Sequence, residues 1–282
     1  MDAQDLTTAF DEAVDSGLEW LDTYGVDFFD SIRSALDGLY EGIEAVLSAV
    51  PFYAIVALVG LLGWRVVGRR FGIVAALALL FCDVMGLWPE TMETLALVTA
   101  ATVLALAIAI PLGILAGFNP RLNKAMLPVL DMIQTLPPYI YLLPAIALLG
   151  FGPATALAAT VVVAIPPALR LTAHGIRLTP VNFIELGRAS GSSSMQMFWK
   201  IRLPFALPSI MAGVNQCLMM AFGMVVIAGI VGSGGLGSTI YDAVRTLDIG
   251  KSIDAGLAIV ILTMVLDRIT EGAVKERKEP AR

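Results

Sequence analysis

The stretch most able to do something specific runs from Arg170 to Arg202. It contains Glu185-Leu186-Gly187-Arg188-Ala189-Ser190-Gly191, then Met195-Gln196-Met197-Phe198-Trp199-Lys200-Ile201-Arg202-Leu203-Pro204. Charges there are mixed with apolar residues at helical spacing: Phe183, Ile184 and Leu186, then Met195, Met197, Phe198 and Ile201. A segment that merely joined two elements would be short and polar. Gly191, followed by three serines, lets two short helices turn against each other. The surface this builds, apolar and rich in Met and aromatics, is suited to binding a partner.

Bond-making chemistry has little to work with. Cys82 and Cys217 both lie in apolar runs, and His174 is the single histidine. That excludes a disulfide framework and speaks against a zinc or haem site, so both thiols read as buried structural residues. Gly232-Ser233-Gly234-Gly235-Leu236-Gly237 matches G-x-G-x-x-G, but it follows a long apolar helix where a dinucleotide site needs a strand. Gly250-Lys251-Ser252 resembles the end of a phosphate-binding loop, yet Arg245 stands where its first glycine belongs. The chain is expected to be no enzyme, and no metal or nucleic acid is expected to bind it.

The elements that position the Arg170–Arg202 stretch are set by composition. Of 282 residues, 57% are hydrophobic and only 15% charged, with mean hydropathy +0.82. A soluble domain carries about 25% charged residues, so an ordinary water-soluble enzyme is excluded. Uncharged runs near 20 residues long are candidate spans. Ala45–Trp64 and Thr94–Phe118 each supply one; Met132–Leu169 supplies two, divided at Gly150-Phe151-Gly152-Pro153; Leu203–Tyr241 supplies one and a Gly-rich loop. Phe71–Trp88, interrupted by Asp83, and Ile253–Ile269 complete an expected seven.

Charge supports an odd number. Residues 1–50 hold eight Asp and four Glu against the single Arg33, whereas 15 of the 18 Lys and Arg fall in alternate loops or the C-terminal tail. The positive-inside rule then places the N-terminus outside and the C-terminus in the cytoplasm. No signal peptide is expected, since no basic stretch precedes an apolar one near the start. In the acidic segment, Leu6, Phe10, Val14, Leu18 and Leu21 recur at helical spacing, as do Phe28/Phe29, Ile32, Leu36, Leu39/Tyr40, Ile43 and Leu47. Two amphipathic helices are expected, the second lying in the membrane interface or both packed in a small external domain.

Polar groups at membrane depth are costly when unsatisfied, so Gln134, Thr135, Tyr141, Asn215 and Gln216 either line an aqueous route or bond between helices. Asp131 is either a functional carboxylate or pairs with a base such as Lys124. Pro111, Pro137, Pro138, Pro144, Pro166, Pro167 and Pro208 would kink their spans.

Glu185, Gly191 six positions on, Ile201 ten further, and Leu203-Pro204 match the loop pattern E-A-A-x-x-x-G-x9-I-x-L-P. The chain thereby resembles the permeases of binding-protein-dependent ABC importers, with Glu-Leu-Gly where they usually carry Glu-Ala-Ala. The resemblance is nearest to glycine betaine/proline betaine (quaternary amine) permeases and runs from about Pro51 to Glu271. Stretches such as Leu130-Asp131-Met132-Ile133-Gln134-Thr135-Leu136-Pro137, Ile165-Pro166-Pro167-Ala168-Leu169-Arg170 and Ile210-Met211-Ala212-Gly213-Val214-Asn215-Gln216 carry it, and the acidic N-terminal segment also fits.

The resemblance implies an all-α membrane protein of the type I importer (MetI-like) class. Residues 1–50 would be an external segment, 51–90 two accessory spans, 91–270 a five-helix permease core with a cytoplasmic coupling loop at 174–204, and 271–282 a basic tail. That loop would dock in a cleft of a separate ATPase. Glu185 and Gly191 would shape its entry and turn, and Phe198, Ile201, Leu203 and Pro204 would pack at or beside the socket. A second permease copy, ATPase subunits holding ATP and Mg2+, an external substrate-binding protein and membrane lipid would be the partners; the chain itself would bind no cofactor. Its location would be the bacterial inner membrane. Cargo would be glycine betaine or a relative such as choline, proline betaine, carnitine or trimethylamine N-oxide. A methionine-type amino-acid permease is the alternative. An ion-coupled secondary transporter would call for inverted repeats, which the sequence does not display.

Overall fold

The computed structural model describes residues 3–276. Twelve helices follow in order: α1 (Ala3–Ala49), α2 (Phe52–Val66), α3 (Arg69–Val84), α4 (Trp88–Phe118), α5 (Pro120–Thr135), α6 (Leu142–Leu149), α7 (Pro153–Arg177), α8 (Val181–Ala189), α9 (Ser194–Met197), α10 (Leu203–Ala228), α11 (Gly235–Thr246) and α12 (Ile249–Glu276). Among the described residues there is no strand, as a lipid environment requires of any open chain that must satisfy its own backbone.

The centre is the trio α4, α7 and α10. Helices in lipid gain nothing from hydrophobic exclusion of one another, so close packing must come from small residues. Ala96, Ala100, Ala101, Ala105 and Ala109 of α4 are buried accordingly. One turn further, Gly113 and Gly117 lie against Thr172 and Ile176 of α7, leaving no room for a Cβ. Helix α12 packs on α10 and α11, with the α2–α3 pair beside it; the end of α2, at Val66 and Val67, meets Gly272. Cys82 and Cys217 are buried and unpaired.

Four unbent segments are long and apolar enough to cross a membrane: Trp88–Phe118, Pro153–Arg177, Ser194–Val231 and Ile249–Ala273. The count rises to six if two bent pairs each make one span. This falls below the seven expected from hydropathy, because two of the expected spans are bent and a third is short. The uncharged run Ala45–Trp64 is not one rod: α1 and α2 meet at 96° around Pro51, whose missing N–H and restricting effect on the preceding residue end the first helix. The expected span Phe71–Trp88 is α3, of 16 residues. That is about 24 Å of helix against a hydrocarbon core of roughly 30 Å. The second bent pair breaks by 106° between α5 and α6, where Pro137 and Pro138 stand. Pro111, Pro166, Pro167 and Pro208 lie inside continuous helices.

The N-terminal segment is one helix rather than the expected pair, unbroken from Ala3 to Ala49. The side chains of Leu6, Phe10, Val14 and Leu18 lie outside the described residues. From Leu36 onward the anticipated apolar stripe is in place: Leu36, Leu39, Ile43 and Leu47 pack on the core and Tyr40 is buried in it. Polar residues fasten the same helix. Asp37 Oδ1 accepts the backbone N–H of Ala154 at 2.9 Å, capping the start of α7, while Arg33 lies 3.6 Å from Asp37 and donates to the carbonyl of Phe151. A carboxylate cap at a helix N-terminus is worth about 1 kcal/mol. The C-terminal part of α1 is therefore a buttress, with the charge of Asp37 turned to the helix end it stabilises.

Candidate coupling segment and polar groups of the bundle

The segment between α7 and α10 is a built hairpin. Helix α8 ends in paired backbone bonds: Ser192 N–H donates to the Gly187 carbonyl and Gly191 N–H to the Arg188 carbonyl, both at 3.0 Å. Gly191 sits at φ +72°, left-handed backbone that costs a residue with a Cβ about 1–2 kcal/mol. Helix α9 starts at once with a capping box, Ser193 accepting from Gln196 N–H and Gln196 Oε1 from Ser193 N–H. A wide π-turn, Phe198–Arg202, then carries the chain into α10. Pro204 falls in the first turn of α10, directly after the π-turn.

The two arms close on Gly187. It is buried, and a Cβ there would meet Met197 Cε at 2.6 Å and Ile201 Cδ1 at 2.9 Å. Leu186, by contrast, is 65% exposed. This accounts for the departure from Glu-Ala-Ala: only the second of those two positions is packed, and there a small residue remains.

Aromatic contacts anchor the hairpin to the bundle. Phe198 packs on Phe118 at the end of α4, ring centres 6.0 Å apart, and Phe183 on Phe205 at 4.9 Å. The Arg202 guanidinium lies 4.7 Å over Phe118. Phe198 and Leu203 also pack on the buried cluster of Ile176, Ala206 and Ile210. Of the residues expected to face a socket, Phe198, Ile201 and Leu203 thus turn partly toward the chain's own helices, while Glu185, Gly191 and Pro204 are exposed. What faces outward besides Glu185 is Leu186, Met195 at 67% and Trp199 at 59% exposure. Trp199 Nε1 points at Met195 Sδ, 3.1 Å away. Trp199 was the least legible of these: it is one residue beyond Phe198, and only the π-turn decides which of the two turns inward.

The polar groups of the bundle divide. Asn215 Nδ2 donates to Asp267 Oδ1 at 2.7 Å and its Oδ1 accepts from Thr270 at 3.0 Å, tying α10 to α12. Tyr141 Oη donates to the Ile133 carbonyl at 3.0 Å, bracing the α5–α6 bend, and Thr135 Oγ1 donates to the Met132 carbonyl. Gln134 and Gln216 are exposed. Asp131 pairs with Arg170 at 2.7 Å, not with Lys124; the partner comes from α7, beyond reach of any local sequence rule.

At the other end of the bundle the glycine run is a helix start. Gly235 N–H donates to Glu93 Oε2 and Leu236 N–H to Thr94 Oγ1 at 2.8 Å, so two α4 side chains cap α11. The donors a dinucleotide phosphate would need are already taken.

The sequence model of the binding-protein-dependent transport system inner membrane component matches residues 109–275. The chain belongs to this family. Over 268 residues it is 37% identical to the glycine betaine/proline betaine transport system permease protein ProW of Escherichia coli (strain K12), covering 95% of this chain and 76% of the relative. It is 36% identical to the glycine betaine transport system permease protein OpuAB of Bacillus subtilis (strain 168), covering 95% of each. Among solved structures it is similar to a chain of the inward-facing MetNI methionine ABC transporter, with TM-score 0.59 and 24% identity over 65% of this chain and 92% of that one. That likeness carries the all-helical fold alone. As a family member the chain is a transport component, and the hairpin coincides with the loop pattern that sequence alone pointed to.

Proposed function

We propose that this chain is the membrane subunit of an ATP-driven importer for glycine betaine or a related quaternary amine, and that the α8–α9 hairpin receives the motion of a separate ATPase. The observation that carries the reading is the hairpin itself. A protruding segment with its own cap, turn and packed centre exposes Leu186, Met195 and Trp199 beside Glu185. Exposed apolar side chains on a rigid support favour a protein partner. The basic residues around the hairpin support a cytoplasmic position for it, with the N-terminus outside. The substrate reading rests on the names of the relatives, an external binding protein selecting the amine.

Mechanically, α8 and α9 are bolted to the ends of α4 and α10 through Phe198, Phe183 and Arg202. A displacement of the hairpin is passed to the central trio. To turn a 1:99 mixture of outward and inward states into 99:1, the partner must bind the two states with about 5.5 kcal/mol difference, which the exposed hairpin face would supply only through contacts differing between states. A second permease copy would complete the pathway between two bundles.

The test is uptake into proteoliposomes containing the permease, its ATPase and its binding protein. ATP-dependent accumulation of labelled glycine betaine, with choline, proline betaine, carnitine, trimethylamine N-oxide and methionine as competitors, is the expected result. In a parallel assay, accumulation of labelled methionine with none of labelled glycine betaine would establish the amino-acid alternative, and uptake by the permease without ATPase would defeat the mechanism.

A further inference from the structure

At the end of the bundle away from the hairpin lies a cavity of about 420 Å³. Its walls are the start of α7 (Phe151, Gly152), the turn after α10 (Gly229 to Gly232), and one face of α11: Ser238, Tyr241, Asp242 and Arg245. The walls are pinned together, Gly152 N–H donating to the Val231 carbonyl at 3.0 Å. Spacings of three, four and seven residues put the four α11 groups on one side of the helix.

The chemistry of this lining is unusual for a bundle end. The Arg245 guanidinium lies over the Tyr241 ring, 5.6 Å from its centre, so the ring already receives a cation on its face. Asp242, one helical turn before it, enters none of the ion pairs found among the described residues. Phe151 is 66% exposed at the rim. Arg245 is also one of only three Lys or Arg that the charge pattern assigns to this side.

We propose that this cavity is a transient binding site for a zwitterion carrying a methylated ammonium and a carboxylate, taken up as it passes from the external binding protein into the permease. The proposal rests on the quaternary-amine reading and deepens it. A quaternary ammonium has no N–H to donate, so only aromatic faces and uncompensated negative charge can hold it; Tyr241, Phe151 and Asp242 supply these. The carboxylate needs a planar two-donor partner, and Arg245 is that partner. On binding, the ammonium takes over the ring face while the guanidinium turns to the carboxylate. One cation on Tyr241 is exchanged for another, and the arginine is not left unpaired.

The test uses the assembled importer in lipid nanodiscs without binding protein, titrated with glycine betaine and, separately, choline, and read by saturation-transfer NMR on the methyl protons. Both ligands should bind. R245Q should weaken glycine betaine about tenfold, as loss of one charge-assisted contact predicts, and leave choline within about twofold, since choline has no carboxylate to lose. R245K, which keeps charge and stacking but not the fork, should fall between. D242N and Y241A should weaken both ligands. Equal loss of both ligands in R245Q, or no change in any variant, would overturn the site. Saturable ATP-driven betaine uptake by an importer that binds no betaine here would also overturn it while leaving the substrate reading intact. Absence of betaine uptake by the complete importer would overturn both.

Discussion

Leucine in place of Gly187 is expected to abolish ATP-driven uptake, whereas alanine should leave most of it. The difference follows from what surrounds the position. A single Cβ would meet the far ends of two side chains, Met197 Cε at 2.6 Å and Ile201 Cδ1 at 2.9 Å. Methionine has three rotatable bonds and can swing aside. Three further carbons cannot be accommodated between α8 and the π-turn, because Ile201 and Met197 sit on the arm that continues into α10. Overpacking of this kind costs about 1–3 kcal/mol, and here the hairpin can relieve it by opening. Opening separates Leu186 from Met195 and Trp199 and destroys the exposed face. Uptake should then fall by at least about tenfold, the factor that 1.4 kcal/mol represents. Affinity of the binding protein for its ligand, a property of another molecule, should not move. Uptake in the proteoliposome system and ligand titration of the binding protein measure the two sides; equal uptake by the leucine and alanine variants would contradict the packing argument.

A second large effect is expected at Gly237, in stability. Its missing Cβ would fall on the Val225 carbonyl of α10, and the Cβ position of Gly229 falls on the backbone of Gly237. Both obstacles are main chain, which cannot rotate away as Met197 can. Gly237→Ala must push α11 off the end of α10, costing the upper part of the about 1–3 kcal/mol range for overpacking, or more. The Glu93 and Thr94 caps on Gly235 and Leu236 depend on the same seating. Thermal melting of the purified protein in detergent should show a clear drop in Tm and loss of monodisperse material. Gly223, exposed on α10 with nothing within 4 Å of its Cβ position, is the control; alanine there should hold or slightly raise Tm. A Gly237→Ala protein as stable as wild type would refute the close approach.

The α8–α9 hairpin was legible because its signal is local. A glutamate, two glycines and Leu-Pro at fixed offsets specify a helix, a left-handed turn and a second helix start, whatever the rest of the fold does. Which face of that hairpin looks outward was not legible. It depends on a π-turn that shifts the register by a fraction of a turn and directs Phe198 inward and Trp199 outward. Hydropathy located the apolar runs but not their direction, since it counts composition and is blind to the 96° bend at Pro51. Asn215 shows the same limit from the polar side. An asparagine at membrane depth called for a partner, and the partner, Asp267, lies 52 residues away. Asp37, too, read as one more charge in an acidic segment until α7 was seen to begin against it. Long-range partners of this sort leave no periodicity to detect.

The most direct measurement on the central claim is site-specific crosslinking in membrane vesicles. With Cys82 and Cys217 replaced, single cysteines at Leu186 and Trp199 should crosslink to the ATPase subunit, with a yield that changes when ATP binds, and should react with a membrane-impermeant thiol reagent only from the cytoplasmic face. Crosslinks to the external binding protein, or labelling from outside the cell, would contradict it.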